Sequence, residues 1–183
     1  MHGMLKFDTK TIVVTGLGAA LFMLLFMFVR IPSPIPNTSF MTAYGLGAFL
    51  ATLFGPIAGG LIPFIGHALS DALQFGSPWW SWVIASGVAG VIFGFAFKKT
   101  RVEEGVFELN DILKFNLWQV IGNAFAWLLV APVLDIVIYA EPANLVFTQG
   151  VVAAGMNIVS AGVFGSLLLL AYAKTRTPQD SLE

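Results

Sequence analysis

The chain has 183 residues, of which 57% are hydrophobic and only 10% are charged, with a mean hydropathy of +0.85 and a net charge of −1. A soluble domain carries about 25% charged residues, and a domain this small has too much surface for so few charges to cover. The composition argues against a water-soluble monomer, excludes disorder, and gives no bulk attraction to nucleic acid.

Six apolar runs predict membrane-spanning helices, each of which needs about 20 mainly apolar residues. The runs cover residues 11–29, 40–54, 57–75, 79–97, 112–134 and 147–173. The first run follows a basic start, as a signal peptide does, but it is long and no A-x-A-like site follows it, so we expect an uncleaved helix. We predict an all-α membrane protein with a single integral membrane domain over residues 1–183.

The number of spans depends on the second and third runs, which could also form one bent span and give five helices. Basic residues favour the cytoplasmic side of a membrane. Six spans with a cytoplasmic N-terminus place eight lysine and arginine residues inside and only Arg30 outside. Five spans would place the cluster at 98–114 outside, opposite Lys6 and Lys10. We therefore predict six spans with cytoplasmic N- and C-termini.

Polar side chains recur at helical spacing inside three of these runs, where each one is costly. The third run contains His67, Ser70, Asp71 and Gln74, the fifth Asn116, Gln119, Asn123 and Trp127, and the sixth Gln149, Ala153, Asn157 and Ser160. We interpret His67 and Asp71 as a structural polar pair, although the outer part of that face could instead line a pocket. The uncharged amide stripes favour a neutral or zwitterionic ligand, with helix–helix hydrogen bonding as the alternative.

Two outer segments also indicate a ligand site. The segment from Arg30 to Thr38 contains three prolines, which stiffen a loop and preorganise it to cap a pocket. The block Ser77-Pro78-Trp79-Trp80-Ser81-Trp82 lies at the predicted outer surface, where tryptophans usually face lipid headgroups. Three tryptophans within four positions cannot all do so, and we expect at least one to point inward, where it could stack on a flat ring.

Small residues form a smooth face on the first predicted helix. Gly16 and Ala20 are four residues apart and are flanked by Gly18 and Ala19. Such faces allow a second helix to approach closely. This face packs within the chain or docks another membrane subunit.

The amino-acid composition argues against metal, disulfide and nucleotide-binding sites. The chain contains no cysteine, which excludes disulfides, thiolate metal sites and cysteine nucleophiles. Two histidines, His2 and His67, are too few for a multi-histidine metal site, and no GxxxxGK[ST] phosphate-binding loop occurs. We expect no metal, no cofactor of its own and no enzymatic activity.

Six short predicted helices in fewer than 200 residues, with both ends cytoplasmic and a small-residue face on the first, accompany four local sequence blocks. These blocks are Ile35-Pro36-Asn37-Thr38, Phe54-Gly55-Pro56, Gly66-His67-Ala68-Leu69 with Asp71, and Ser77-Pro78-Trp79-Trp80-Ser81-Trp82. Together they resemble the substrate-binding S-components of energy-coupling factor (ECF) vitamin transporters. Within that family they are similar to the cobalamin-specific CbrT type.

The resemblance implies a subunit that binds its vitamin at the outer surface of a prokaryotic plasma membrane. Its partners are a transmembrane T subunit and two ATPases, and it topples within the membrane to release the ligand inside. The family's Ala-x-x-x-Ala docking motif corresponds here to Gly16 and Ala20, where glycine replaces the first alanine. Cobalamin is the implied ligand.

The candidate substrate-binding residues combine aromatic surface, neutral hydrogen-bonding groups and one cation in the predicted outer third. They are Arg30, Asn37, Gln74, Trp79, Trp80, Trp82, Asn123, Trp127, Tyr139 and Gln149. Alternatives are an S-component for another vitamin or precursor, a stand-alone secondary transporter, a membrane enzyme, or a purely structural membrane subunit. The paucity of acid–base pairs in the spans argues against the enzyme, and the amide stripes argue against the structural subunit.

Overall fold

The computed structural model describes residues 8–176, and most of these residues are helical. The elements in chain order are α1 (Thr9–Phe28), β1 (Arg30–Pro32), β2 (Ser39–Met41), α2 (Ala43–Phe75), α3 (Trp80–Phe93), α4 (Leu109–Phe125), α5 (Ala131–Tyr139), α6 (Ala143–Ser160) and α7 (Ser166–Thr175). Two π-helical segments, Ala126–Val130 and Ala161–Gly165, join α4 to α5 and α6 to α7 without a break.

Four helical stretches in residues 8–176 are long and apolar enough to cross a membrane. They are Thr9–Phe28, Ala43–Phe75, Leu109–Tyr139 and Ala143–Thr175, and a shorter apolar stretch covers Trp80–Ala96. Large apolar side chains such as Leu17, Val151 and Leu167 are more than half exposed on the outer faces of these helices. An exposed apolar surface of this kind is stable in lipid rather than in water. The predicted class, an all-α membrane protein, is therefore confirmed.

Helix α2 contains a reversal of chain direction. Gly55 has φ 87° and ψ −177°, a conformation that favours glycine, and Pro56 follows it. A Cβ atom built on Gly59 would lie 2.8 Å from the Cβ of Ala51. Residues eight apart on a straight helix are separated by about 12 Å, so the two halves of α2 fold back on each other at Gly55. The break predicted between residues 54 and 57 is present.

The contacts of α1 show the direction of the two halves of α2. Phe22 contacts Gly47 in the first half and Gly66 in the second half. Further along α1, Phe26 packs against Tyr44 and against His67. The first half of α2 is therefore antiparallel to α1, and the second half is parallel to it.

These directions define two ends of the bundle. The loop end contains residues 29–42, 76–79 and 140–142, and the basic end contains the start of α1, the Gly55 turn, residues 97–108 and the end of α7. The Lys10 ammonium lies 5.2 Å from the ring of Phe54, which places the start of α1 beside that turn. Six of the eight lysine and arginine residues in 8–176 are at the basic end, Lys114 lies in the second turn of α4, and Arg30 alone is at the loop end. Lys6 lies outside the described residues.

The predicted boundaries differ most from the observed ones at the second, fifth and sixth runs. Residues 39–41 form strand β2, which pairs antiparallel with β1, so the second helix begins at Ala43 rather than at residue 40. The fifth helical stretch extends from Leu109 to Tyr139 and the sixth from Ala143 to Thr175, so both are longer than predicted at each end. Asp111 and Glu108 form a reciprocal capping box that starts α4 three residues before the predicted boundary.

Candidate functional site

A cavity of about 840 Å³ opens at the loop end between the β1–β2 segment and helices α2, α3, α5 and α6. Small-molecule sites usually measure about 300–1,000 Å³, so this cavity is near the upper part of that range. Its rim is the proline-rich segment 32–39, and its floor contains Tyr44, Trp127 and Asn157.

Aromatic side chains form much of the cavity wall. Trp79 and Trp82 line it from the start of α3, and Trp127 lines it from the π-helical segment after α4. The rings of Trp82 and Trp127 are 5.4 Å apart, and Trp127 makes an edge contact with Tyr44 at the same centroid distance. Trp127 and Tyr44 are 0% and 2% exposed, so they support the wall from behind, and Trp79 and Trp82 carry its accessible ring surface.

Asp135 on α5 holds the start of α3. The indole N–H groups of Trp79 and Trp82 each donate to its carboxylate at 2.7 Å, and the Ser81 hydroxyl donates to the same group. The Asp135 residue is only 2% exposed, yet it lines the cavity. Sequence reasoning missed this residue.

The predicted pair of His67 and Asp71 belongs to a longer buried chain of polar contacts. The two side chains approach to 3.5 Å. His67 Nδ1 lies 2.7 Å from the Ser86 hydroxyl, which lies 2.8 Å from the hydroxyl of Tyr44. The other oxygen of Asp71 accepts the backbone N–H of Trp79 at 3.0 Å. The pair links α2 to α3, and both residues also line the cavity, so its structural role stays a prediction.

Helix α6 fixes the rim and contributes polar groups. Gln149 donates to the carbonyl of Pro36 at 2.9 Å, and the Ser160 hydroxyl donates to the carbonyl of Met41 at 2.6 Å. Asn157 is 3% exposed and lines the cavity, and its side-chain oxygen is buried without a protein partner. A buried unpartnered acceptor is costly, so this oxygen is available to a ligand donor.

Six of the ten predicted substrate-binding residues line the cavity. They are Arg30, Asn37, Trp79, Trp82, Trp127 and Gln149. Asn37 has a positive φ of 56° in the turn between β1 and β2, a conformation that asparagine tolerates better than most residues. Ligand contact by these six residues stays a prediction.

The other four predicted residues lie outside the cavity lining. Gln74 donates to the Ser70 hydroxyl one turn earlier, and Trp80 packs near Phe64 while 45% of it is exposed. The structure gives Asn123 and Tyr139 supporting contacts instead.

Asn123 accepts the indole N–H of Trp127 at 3.0 Å and donates to Gln119. Tyr139 accepts the backbone N–H of Trp80 and stacks on Trp79 with ring centroids 4.0 Å apart. Both residues therefore position cavity tryptophans rather than line the cavity.

The charge of the cavity wall is mainly negative. Asp71, Asp135 and Glu141 line it together with one arginine, Arg30. Carboxylates accept hydrogen bonds, so this wall suits a ligand that presents N–H or O–H donors. Asp135 could have been found from the sequence, because a carboxylate in an apolar segment indicates function, but the predicted span ended at residue 134.

The small-residue face on α1 is divided in two. Gly18 and Ala19 are buried, and a Cβ atom on Gly18 would lie 2.8 Å from Ile62. Gly16 and Ala20 are exposed, and a Cβ atom on Gly16 would have no neighbour within 4 Å. The pair predicted for docking thus faces away from the bundle.

The fold and the cavity define a multi-pass helical membrane protein with a ligand-sized site at one end. The chain belongs to the family of ECF-type riboflavin transporter S components, whose family model matches residues 6–174. Members of this family are substrate-binding subunits of transporters rather than enzymes. The predicted S-component is therefore confirmed, although the family description names riboflavin and not cobalamin.

Close relatives cover nearly the whole chain. A UPF0397 protein of Exiguobacterium sp. is 55% identical over 178 residues, which is 97% of both chains. UPF0397 proteins of Enterococcus faecalis and Clostridium perfringens are 52% and 53% identical over 177 residues, or 97% of this chain and 97% and 96% of theirs. These names state no ligand.

Proposed function

We propose that this chain is the vitamin-binding subunit of an ATP-driven ECF importer and that cobalamin is its ligand. The observation that carries the proposal is the cavity of about 840 Å³ at the loop end. Cobalamin is a large ligand with a flat corrin ring, and a large cavity with tryptophans in its wall supports it as the ligand. Riboflavin, a smaller flat molecule, is the second candidate because the family description names it.

The chemistry of the wall supports a large neutral ligand. Trp79 and Trp82 supply ring surface, and the buried Trp127 packs behind Trp82. Amide groups on the corrin rim supply donors for Asp71 and for the free oxygen of Asn157. Arg30 at the rim is available to the single phosphodiester of cobalamin. A small anionic vitamin would be disfavoured by the three carboxylates.

The import mechanism that we propose uses both ends of the bundle. The loop end faces the exterior and takes up the vitamin, and the basic end faces the cytoplasm, in agreement with the excess of lysine and arginine there. Counting the two halves of α2 separately gives six membrane segments, with both termini in the cytoplasm. The host membrane is the plasma membrane of a prokaryote.

Partners supply the energy in this proposal. A transmembrane T subunit contacts the outward pair Gly16 and Ala20, and two ATPases hydrolyse ATP. A stand-alone secondary transporter is the alternative, and such proteins usually show repeats and broken helices that bind coupling ions. The structure brings together no group of three or more metal-ligating side chains within residues 8–176.

The test is a calorimetric titration of the purified protein in detergent, carried out separately with cyanocobalamin, riboflavin, thiamine and biotin. We expect saturable binding of cyanocobalamin that weakens in Trp82→Ala and not in Trp118→Ala. Trp118 is the matched control because it packs against Phe95 and Lys99 at the basic end. Tight binding of riboflavin with none of cyanocobalamin would replace the ligand, and binding of none of the four would refute the proposed function.

A further inference from the structure

The tie between α5 and the start of α3 depends on one carboxylate. Asp135 Oδ1 accepts from the Trp79 indole and the Ser81 hydroxyl, and Oδ2 accepts from the Trp82 indole at 2.7 Å. All three donors are neutral, and the arginine that also lines the cavity, Arg30, makes no ion pair with this carboxylate in the described residues. The charge is therefore stabilised by donors that converge on it.

Only an acceptor-only group fits this position. A carboxylate offers two oxygens and about four lone-pair sites, whereas an amide offers one oxygen and an NH₂ group that donates. In Asp135→Asn the amide oxygen can serve only one of the two indoles. Trp79 has further anchors and cannot turn away from a donor, so the oxygen takes the Oδ1 position. The NH₂ group then faces the Trp82 indole N–H, donor against donor, and that tie is lost.

The two indoles differ in how many other anchors hold them. Trp79 also donates its backbone N–H to Asp71 and stacks on Tyr139. The Trp82 side chain has one polar anchor, Asp135, and packs against Trp127. Loss of the carboxylate therefore frees Trp82 much more than Trp79.

We infer that Asp135 is a positioning residue that sets the orientation of the Trp82 ring, and so the shape of the aromatic wall that receives the ligand. This inference rests on the proposed function for its binding readout. Its structural part concerns the indole and needs no ligand. Asp135 acts here through Trp82 rather than by direct contact with the vitamin.

The structural part is tested on the indole N–H signals of ¹⁵N-labelled full-length protein in detergent micelles. The chain has five tryptophans, so five signals are expected. Asp135→Asn should shift the Trp82 signal strongly and the Trp118 signal not at all, because Trp118 is at the basic end. An unchanged Trp82 signal in folded Asp135→Asn overturns the inference.

The binding part is a double-mutant cycle with cyanocobalamin, and with riboflavin if that is the vitamin the wild type binds. We expect Asp135→Asn and Trp82→Phe each to weaken binding about tenfold. The double variant should bind within about twofold of the weaker-binding single variant, because both changes remove the same hydrogen bond between Trp82 and Asp135. Multiplicative losses would show that Asp135 contacts the ligand directly and would overturn the inference.

If Asp135→Asn does not fold, Trp82→Phe alone tests the inference. Trp82→Phe leaves a smaller aromatic ring and removes the anchored N–H with the rest of the five-membered ring, whereas Trp80→Phe makes the same change to a ring outside the cavity. Binding by Trp82→Phe equal to that of wild type and of Trp80→Phe overturns the inference. A wild type that binds no vitamin refutes the proposed function instead, and the indole signals still decide the role of Asp135.

Discussion

Substitution of Gly16 by leucine should separate transport from ligand binding. A Cβ atom at Gly16 has no neighbour within 4 Å, so the larger side chain does not disturb the isolated protein. Leucine is a better helix former than glycine by up to about 1 kcal/mol, so stability should not fall. Ligand affinity should be unchanged, because the cavity is at the loop end.

The expected loss at the partner interface follows from overpacking. Inserting a side chain where two helices approach closely costs about 1–3 kcal/mol, which corresponds to an approximately 5- to 150-fold loss of partner affinity. The matched control is Gly155→Leu on α6. Gly155 is also exposed and also has no neighbour within 4 Å of a built Cβ atom, but it is outside the small-residue face of α1.

The assay is uptake of radiolabelled vitamin by proteoliposomes that contain the variant, the T subunit and both ATPases, with calorimetry on the isolated variant. We expect Gly16→Leu to lose most of its uptake and keep binding, and Gly155→Leu to keep both. Equal uptake by the two variants would refute the docking role of this face. The same conclusion would follow if Gly16→Leu lost ligand binding to the same extent as uptake.

Three further predictions concern topology, packing and the cavity floor. Ser33→Cys should react with an impermeant thiol reagent added outside intact cells, and Glu104→Cys should not. The reverse labelling pattern would contradict the proposed orientation. Gly59→Leu should lower the Tm in detergent by at least about 3 °C, because its Cβ atom would lie 2.5 Å from the Gly90 carbonyl oxygen; an unchanged Tm contradicts that packing. Trp127→Ala should weaken vitamin binding about 5- to 150-fold by calorimetry, and undiminished binding removes this ring from the site.

The fold was predictable where one physical rule decided it. Apolar length located the helices, and Gly55-Pro56 marked the reversal because that backbone conformation requires glycine. The β1–β2 pairing was not predictable, because each strand has only three residues and no alternating pattern. The last two long helices were predicted too short because polar residues near their ends, Asp111, Asp135 and Asn144, interrupt the apolar pattern.

The candidate site was predictable in part, because polar stripes do not reveal which face looks into a cavity. The stripe of α4 is satisfied within the protein. Asn116 accepts from Gln119 and donates to Ser166, and Gln119 also donates to the Ile158 carbonyl. Asn123 accepts from Trp127. The stripe of α6 is open to the cavity at Gln149 and Asn157. Polar side chains three or four residues apart can pair along one helix. Whether they pair or face a cavity depends on the packing of neighbouring elements, which the sequence does not show.

The most direct test of a vitamin site in this cavity is ligand protection of a single cysteine. The chain has no native cysteine, so Leu145→Cys places one thiol in the lining and Asn144→Cys places one beside it, outside the lining. Modification rates of both purified variants are measured with and without saturating cyanocobalamin or riboflavin, whichever binds. We predict that the bound vitamin slows modification of Leu145→Cys at least about tenfold and leaves Asn144→Cys unchanged. Equal rates for Leu145→Cys with and without bound vitamin would contradict a vitamin site in this cavity.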